Sequence, residues 1–254
     1  MVLFRLLRLK PPHGWHAVAW ELLIVTLGVL IALGAQQAAE GVRDRQIANA
    51  TRTAITEEIN QNLVNLSLRA TAEPCIQGRF GELHRRVGTW GRTGSFETPL
   101  WVAQAPRLTT SFPRYQAALD AGNLALLPRE EQYRIGNVIA GLTEFQKIQE
   151  DENDTWPTLR MLQEGAGSLS STDRTAVRLA LQRAAALDDR ARLLIRQILP
   201  RAAGFGFRPD RKKFEEFARN VWKNGTYTPA VCAPIDTPPA KANEMTGQQT
   251  PLPF

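Results

Sequence analysis

Residues 22–39 read LLIVTLGVLIALGAQQAA, a run of 18 residues without a charged side chain. Extending the run back to Ala17 gives 23 residues in which Glu21 carries the only charge. At about 1.5 Å of rise per residue, such a helix spans roughly 34 Å, enough to cross a hydrocarbon core of about 30 Å. No later stretch is comparably apolar. The sequence therefore predicts one transmembrane helix over residues 17–39.

The charges that flank this span predict its orientation. Arg5, Arg8 and Lys10 precede it without an acidic residue, whereas the acidic and basic residues directly after it cancel. Because Lys and Arg are retained on the cytoplasmic side, residues 1–16 are predicted to be cytoplasmic and the chain from residue 40 extracytoplasmic. A cleaved signal peptide is the alternative, since Ala32-Leu33-Gly34 resembles a cleavage site after a basic start and an apolar run. Both alternatives export the remainder of the chain.

Small residues within the span favour close packing of helices. Gly28 and Ala32 are four residues apart, and Gln36 follows one turn later. Small residues at this spacing let two helix backbones approach, and a Gln side chain can form a hydrogen bond across the interface. Gly28, Ala32 and Gln36 are therefore candidate positions for homo-oligomer contacts, although such spacing is common in membrane helices without association.

Residues 20–33, WELLIVTLGVLIAL, form a Glu-led apolar stretch, and residues 115–124, YQAALDAGNL, form an aromatic and glycine-containing turn. Both motifs resemble those of an uncharacterised bacterial family of single-pass inner-membrane proteins, a domain of unknown function. Trp20 and Gly34 depart from the glycine and glutamine usual there. The resemblance covers about residues 15–150. It implies an inner-membrane protein with a periplasmic main domain and brings no catalytic residue.

Apolar residues recur at helical spacing through most of the exported region. The predicted elements are a helix over 42–73 ended by Pro74, a short helix over 76–87, a loop from Gly88 to Pro106, a helix from an N-cap at Ser111 to Gly122, a helix from Pro128 to at least Glu150, a helix capped by Ser171-Thr172-Asp173 and ended by Pro200, and a helix after Asp210. We therefore expect an all-α bundle of about five to six helices over residues 40–225. Residues 226–254 are rich in proline and are interpreted as a mostly disordered tail.

The chain contains two cysteines, which excludes a disulfide-dense scaffold and a multi-Cys zinc site. Outside the cytoplasm, Cys75 and Cys232 form a candidate disulfide. Closing a loop of about 157 residues stabilises a fold by roughly 4–5 kcal/mol in the chain-entropy model. Two separate thiols are the alternative, and no C-x-x-C pattern indicates a redox pair.

Few residues suggest catalysis, and the sequence predicts no catalytic residue, metal or cofactor. His84 is the only histidine beyond the membrane-proximal start, and surface exposure is its ordinary interpretation. Two clusters of neighbouring acids, Glu57-Glu58 and those within residues 150–154, are of the kind that usually lies on a solvated helix face. Residues 150–154, EDEND, resemble a calcium loop superficially but lack its glycine and closing glutamate.

The formal net charge is +6, and residues 169–223 carry 13 basic against 6 acidic residues. An exported domain does not meet chromosomal DNA, so nucleic acid is not the expected partner. Lipid head groups, acidic envelope polymers or an acidic protein are the candidate partners, and a plain solvated face is the alternative. The candidate contact face comprises Arg190, Arg192, Arg196, Arg201, Arg208, Arg211, Lys212 and Lys213.

These features predict a non-enzymatic, single-pass envelope protein of the bacterial inner membrane that acts through protein or envelope contacts. One alternative is an envelope sensor that signals through a membrane partner, since about 16 cytoplasmic residues are too few for an output domain. A second alternative is an enzyme acting on cell-wall or lipid substrates.

Overall fold

The computed structural model describes residues 14–163, 169–209, 212, 214–216 and 229–238. These residues form helices and no β-strand, so the all-helical prediction is confirmed for the described part of the chain. The elements are α1 Gly14–Thr93, α2 Pro113–Asp120, a 3₁₀ helix Asn123–Leu126, α3 Arg129–Arg160, α4 Ser171–Gly204 and α5 Pro229–Cys232. The chain divides into two compact units, Met1–Thr51 and Arg52–Phe254.

The first unit contains the apolar part of α1. Its large side chains are exposed, with Leu22 at 68%, Ile24 at 64% and Ile31 at 64% of their maximum. Within α1, none of the 18 consecutive residues with the highest mean hydropathy is buried. The core helix of a water-soluble domain buries its apolar side chains, so this exposure distinguishes α1 from such a helix. By length and composition the segment can serve as a membrane anchor or a signal sequence.

Pro74 does not end a helix, contrary to the sequence-based expectation. Helix α1 continues through it to Thr93 and includes the residues assigned to a separate short helix. Proline removes one intrahelical hydrogen bond and crowds the preceding turn. Burial on both sides offsets this cost, because Ala72 and Ile76 are 1% and 0% exposed. Tertiary packing therefore overrides the local preference for a break.

Helix α1 forms the centre of the second unit. All of residues 62–69 except Asn65 are buried, which requires neighbours on every side of the helix. Helix α3 runs parallel to α1, since Glu131 pairs with Arg52 and the later Glu152 pairs with Arg69. Helix α4 runs antiparallel to α1, since Arg174 near its start lies over the Trp90 ring at 5.3 Å from the centroid.

The main apolar core lies between α1, α3 and α4. Phe80 on α1 stacks on Trp156 on α3 with 5.7 Å between ring centroids. Val177 and Leu181 of α4 close the same core. At Gly141 of α3 the helices approach so closely that an added Cβ would lie 2.9 Å from Ile198 of α4. Glycine therefore permits this crossing.

An extended segment, residues 94–112, fills the remaining side of α1. Its backbone has no strand partner, and side-chain amides take that place. Gln149 of α3 accepts from the Leu108 N–H at 2.8 Å and donates to the Leu108 carbonyl at 2.9 Å. Asn62 of α1 makes the same pair of bonds with Ser111, at 3.1 and 2.9 Å. Buried backbone groups are thus paired, which allows a loop to lie inside a helical bundle.

The expected N-cap at Ser111 is wrong, because α2 begins at Pro113 and its N-cap residue is Phe112, whose side chain forms no capping bond. The backbone N–H and carbonyl of Ser111 pair with Asn62 instead. Glu58 of α1 caps the helix instead, accepting from the backbone N–H groups of Arg114 and Tyr115 at 2.8 and 3.0 Å. A carboxylate at the positive end of a helix is favourable. The predicted stop at Gly122 is confirmed, with φ of +71°.

The bounds of the later helices differ slightly from expectation. Helix α4 is capped by Ser170, whose side chain and that of Asp173 form a capping box one residue before the predicted start. Pro200 lies inside α4, exposed, and the helix ends at Gly204. Most of the predicted helix after Asp210 lies outside the described residues. Phe214 is described and fully buried.

Candidate functional site

Three charged side chains from three helices meet in the core of the second unit, and we call them the charge cluster. Arg69 of α1 donates through Nη2 to Glu152 of α3 at 2.9 Å and to Asp188 of α4 at 2.7 Å. Gln77 of α1 donates to the other oxygen of Asp188 at 2.5 Å. The side chains of Arg69 and Asp188 are 0% exposed and that of Glu152 is 4% exposed. The cluster links α1, α3 and α4 directly.

Burial dominates the electrostatics of this cluster. It raises the pKa of Glu152 from 4.5 to about 7, outweighing the opposing effect of Arg69, and Asp188 raises it further. Burial and Asp188 also raise the pKa of the neighbouring Glu73. The Nε and Nη1 atoms of Arg69 have no hydrogen-bond partner among the described residues. One guanidinium therefore faces two carboxylates of which one is partly protonated near neutral pH.

The charge cluster joins three helices of the bundle, and its side chains are enclosed by the described residues. Removing one partner of a buried ion pair leaves an uncompensated charge at a cost of about 3–5 kcal/mol. The cluster therefore fixes the alignment of three helices. Sequence reasoning missed it because Glu152 was included in an acidic run expected to be solvated.

A second polar feature joins α1 to residues 229–238, which we call the C-terminal strap. Cys75 and Cys232 form a disulfide, with Sγ atoms 2.10 Å and Cα atoms 4.5 Å apart. Arg79 donates to the carbonyl of Ala233, and Trp101 donates through Nε1 to the carbonyl of Thr237 at 2.6 Å.

The strap is also packed through its apolar side chains. Val231 and Ile235 are each 3% exposed and belong to the main core. The strap lies within the segment interpreted as a disordered tail, and these ten residues are held along α1 instead. A polar groove of about 620 Å³ lies beside it. There Arg86 donates to the carbonyl of Glu97 at 2.8 Å and pairs with Asp236.

The other residues considered for chemistry lie apart from one another. His84 is exposed on α1. Glu57 pairs with Arg114 at 2.8 Å, while Glu58 caps α2. Within the described ranges, no group of three His, Cys, Asp or Glu side chains is placed to hold a metal ion. The structure therefore does not bring these residues together into one site.

The residues singled out in the apolar span are all exposed on α1. Gly28 has no atom near the position of an added Cβ. Ala32 is exposed, and Gln36 donates to Glu40 at 2.9 Å. These positions are accessible to a second helix, and helix association there stays a prediction.

The basic residues of the candidate contact face fall into two groups. Arg190 pairs with Glu144, and Arg192 pairs with Asp189 and lies 3.5 Å from Glu73. The others that the structure describes are exposed and have no acidic partner among the described residues; they are Arg196, Arg201, Arg208 and Lys212. Arg211 and Lys213 lie outside the described residues.

Comparison with known proteins gives no relative. No family model, curated protein or solved structure matches the chain.

Proposed function

We propose that the protein is a single-pass, membrane-anchored envelope protein whose helical second unit lies outside the cytoplasm and acts through contacts with protein or envelope components. The observation that supports the membrane anchor is the continuous exposed apolar surface of α1 over residues 22–33. A bilayer is the solvent that makes such exposure favourable. The basic residues before it favour a cytoplasmic N-terminus.

The disulfide supports an extracytoplasmic second unit. Bonds such as Cys75–Cys232 persist in oxidising compartments and are rare in the cytoplasm. The resemblance to a family of bacterial inner-membrane proteins is consistent with the same cellular location. The polar groups in the core, the charge cluster above all, are engaged in holding helices together. Contacts on the outer surface of the unit are therefore favoured over chemistry in its interior.

Anchoring is tested by expressing the full chain in a bacterium and extracting the membranes with alkaline carbonate. We expect the full-length chain to stay in the membrane pellet and to run at full mass. A shortened chain in the soluble periplasmic fraction would instead identify residues 22–34 as part of a cleaved signal peptide. Replacing Leu27 and Leu30 with Asp should release the chain from the pellet.

Orientation is tested separately by protease treatment of spheroplasts. The proposal expects digestion of the second unit in intact spheroplasts and survival of an epitope placed at the N-terminus. Protection of the second unit until the membrane is permeabilised would reverse the orientation. A cytoplasmic protein that stays intact serves as the control for spheroplast integrity.

A further inference from the structure

One end of the second unit combines the start of α3 with the end of α4. A cleft there is lined by Arg52, Pro128, Glu131 and Phe205. Tyr133 of α3 packs edge-to-face on Phe205, with 6.4 Å between ring centroids. Arg52 is the residue at which the chain enters the unit. The end of α4 therefore lies beside the point of entry.

Basic side chains dominate this end of the unit. We call the following residues the basic end: Arg129, Arg196, Arg201 and Arg208. All four are exposed and form no ion pair with any described residue. The nearby acids of α3 are engaged, since Glu131 pairs with Arg52 and Glu130 pairs with Arg134. The exposed acid Glu216 does not remove the excess of positive charge.

An exposed aromatic side chain accompanies these charges. Tyr133, which packs on Phe205, is 65% exposed. Tyrosine has an apolar ring and a polar tip, which suits the boundary between lipid head groups and hydrocarbon. Arginines without an acidic partner and an exposed tyrosine are the side chains that an anionic lipid surface favours.

The covalent chain keeps this end near a bilayer if residues 17–39 span one. Residues 40–51 separate the predicted span from Arg52, and twelve residues reach at most about 43 Å even when fully extended. Such a tether turns lipid binding into an intramolecular event with a high effective concentration. A soluble acidic protein or a free polymer has no such advantage.

We infer that the basic end binds the anionic phospholipid head groups of the bilayer that anchors the chain. This inference rests on the proposed function, and it names the partner of one surface. The binding is electrostatic, so salt weakens it. It holds the second unit against the membrane surface and leaves its other faces open.

The test places the full chain in lipid nanodiscs and measures energy transfer to a head-group acceptor. Gln197 is exposed between Arg196 and Arg201, so Gln197→Cys carries the donor dye while Cys75 and Cys232 stay bonded. We expect greater transfer in discs that contain phosphatidylglycerol than in pure phosphatidylcholine. About 0.5 M NaCl should remove the difference, since the screening length falls from about 8 Å at 0.15 M to roughly 4 Å.

Charge reversal identifies the surface responsible. The triple variant Arg196→Glu, Arg201→Glu and Arg208→Glu should lose the increase that phosphatidylglycerol causes. The control variant Arg85→Glu, Arg92→Glu and Arg178→Glu changes the same charge at the opposite end of the bundle and should keep it. All six side chains are exposed, and circular dichroism checks that each variant folds.

Several outcomes would overturn the inference. Equal transfer in both lipids, or an equal loss in both triple variants, would exclude specific lipid binding at the basic end. Unchanged transfer in the variant Arg196→Glu, Arg201→Glu and Arg208→Glu would exclude the basic end as the surface that binds lipid. If the chain is extracted by carbonate, the proposed anchoring itself fails. If the chain stays in the membrane and the energy transfer does not depend on lipid charge, only this inference fails.

Discussion

Arg69 is the residue on which the interior of the bundle depends most. It pairs with Glu152 and Asp188 from two other helices, and all three side chains are buried. We expect Arg69→Met to lower the free energy of unfolding by about 3–5 kcal/mol, because two buried carboxylates lose the guanidinium that both bind. Urea denaturation in mild detergent measures the loss. The exposed Arg178→Met is the control, and equal effects of both changes would contradict the assignment.

Glu152 gives the second unit a pH dependence with a definite sign. Its pKa is raised from 4.5 to about 7 in the fold, so the folded state binds more protons than the unfolded state between these values. The free energy of unfolding therefore falls as pH rises from about 5 to 8, by up to about 3 kcal/mol from this residue. Glu73 contributes in the same direction, since its pKa is also raised.

The variant Glu152→Gln should flatten this pH profile, because an amide does not titrate. Denaturant midpoints collected at several pH values between 5 and 8 provide the measurement. Glu150→Gln is the matched control, since Glu150 is two residues away and exposed. A profile unchanged in Glu152→Gln would show that the pH dependence arises elsewhere.

Part of this cluster could be predicted from the sequence. Asp188 lies four residues after Ala184 and three before Ala191, on the apolar stripe of α4, and a charge at such a position signals a buried partner. Its partner could not be named, because Arg69 is 119 residues away. Such pairing depends on how helices align, which no local pattern encodes.

At the scale of elements, proline was a poor predictor of where helices end. Pro74 and Pro200 were expected to end helices, and both lie exposed inside longer ones. The hydrogen bond that proline removes favours a helix break. Burial of the helix face opposite the proline favours continuation of the helix. Gly122 marks the end of α2 as predicted, because a positive φ is a backbone requirement that packing does not remove.

The conformation of the extended segment 94–112 is the one that local sequence patterns indicate least. It depends on Gln149, which pairs with both backbone groups of Leu108. We expect Gln149→Ala to lower the free energy of unfolding by about 2–5 kcal/mol, because a buried N–H and a buried carbonyl lose their partners. Chemical denaturation tests this, with the exposed Gln182→Ala as control. A change below that of the control would mean that water replaces the amide.

At the scale of the whole molecule, the disulfide holds the C-terminal strap to the central helix. We expect Cys232→Ser to lower the free energy of unfolding by up to about 4–5 kcal/mol, since the bond closes a loop of 157 residues. Limited proteolysis should then cut within residues 229–238 first. Cys75→Ser should behave identically, and a strap that stays protected in both variants would show that Arg79 and Trp101 suffice to hold it.

The central position of α1 has a consequence for biosynthesis. The ribosome makes this helix before the segments that cover it, which are residues 94–112, α3, α4 and the strap. Its buried face therefore has no native partner while most of the polypeptide is still being synthesised. A nascent chain in this condition is a natural client for holding chaperones during export, and truncations from the C-terminus should be degraded rather than accumulate as smaller folded proteins.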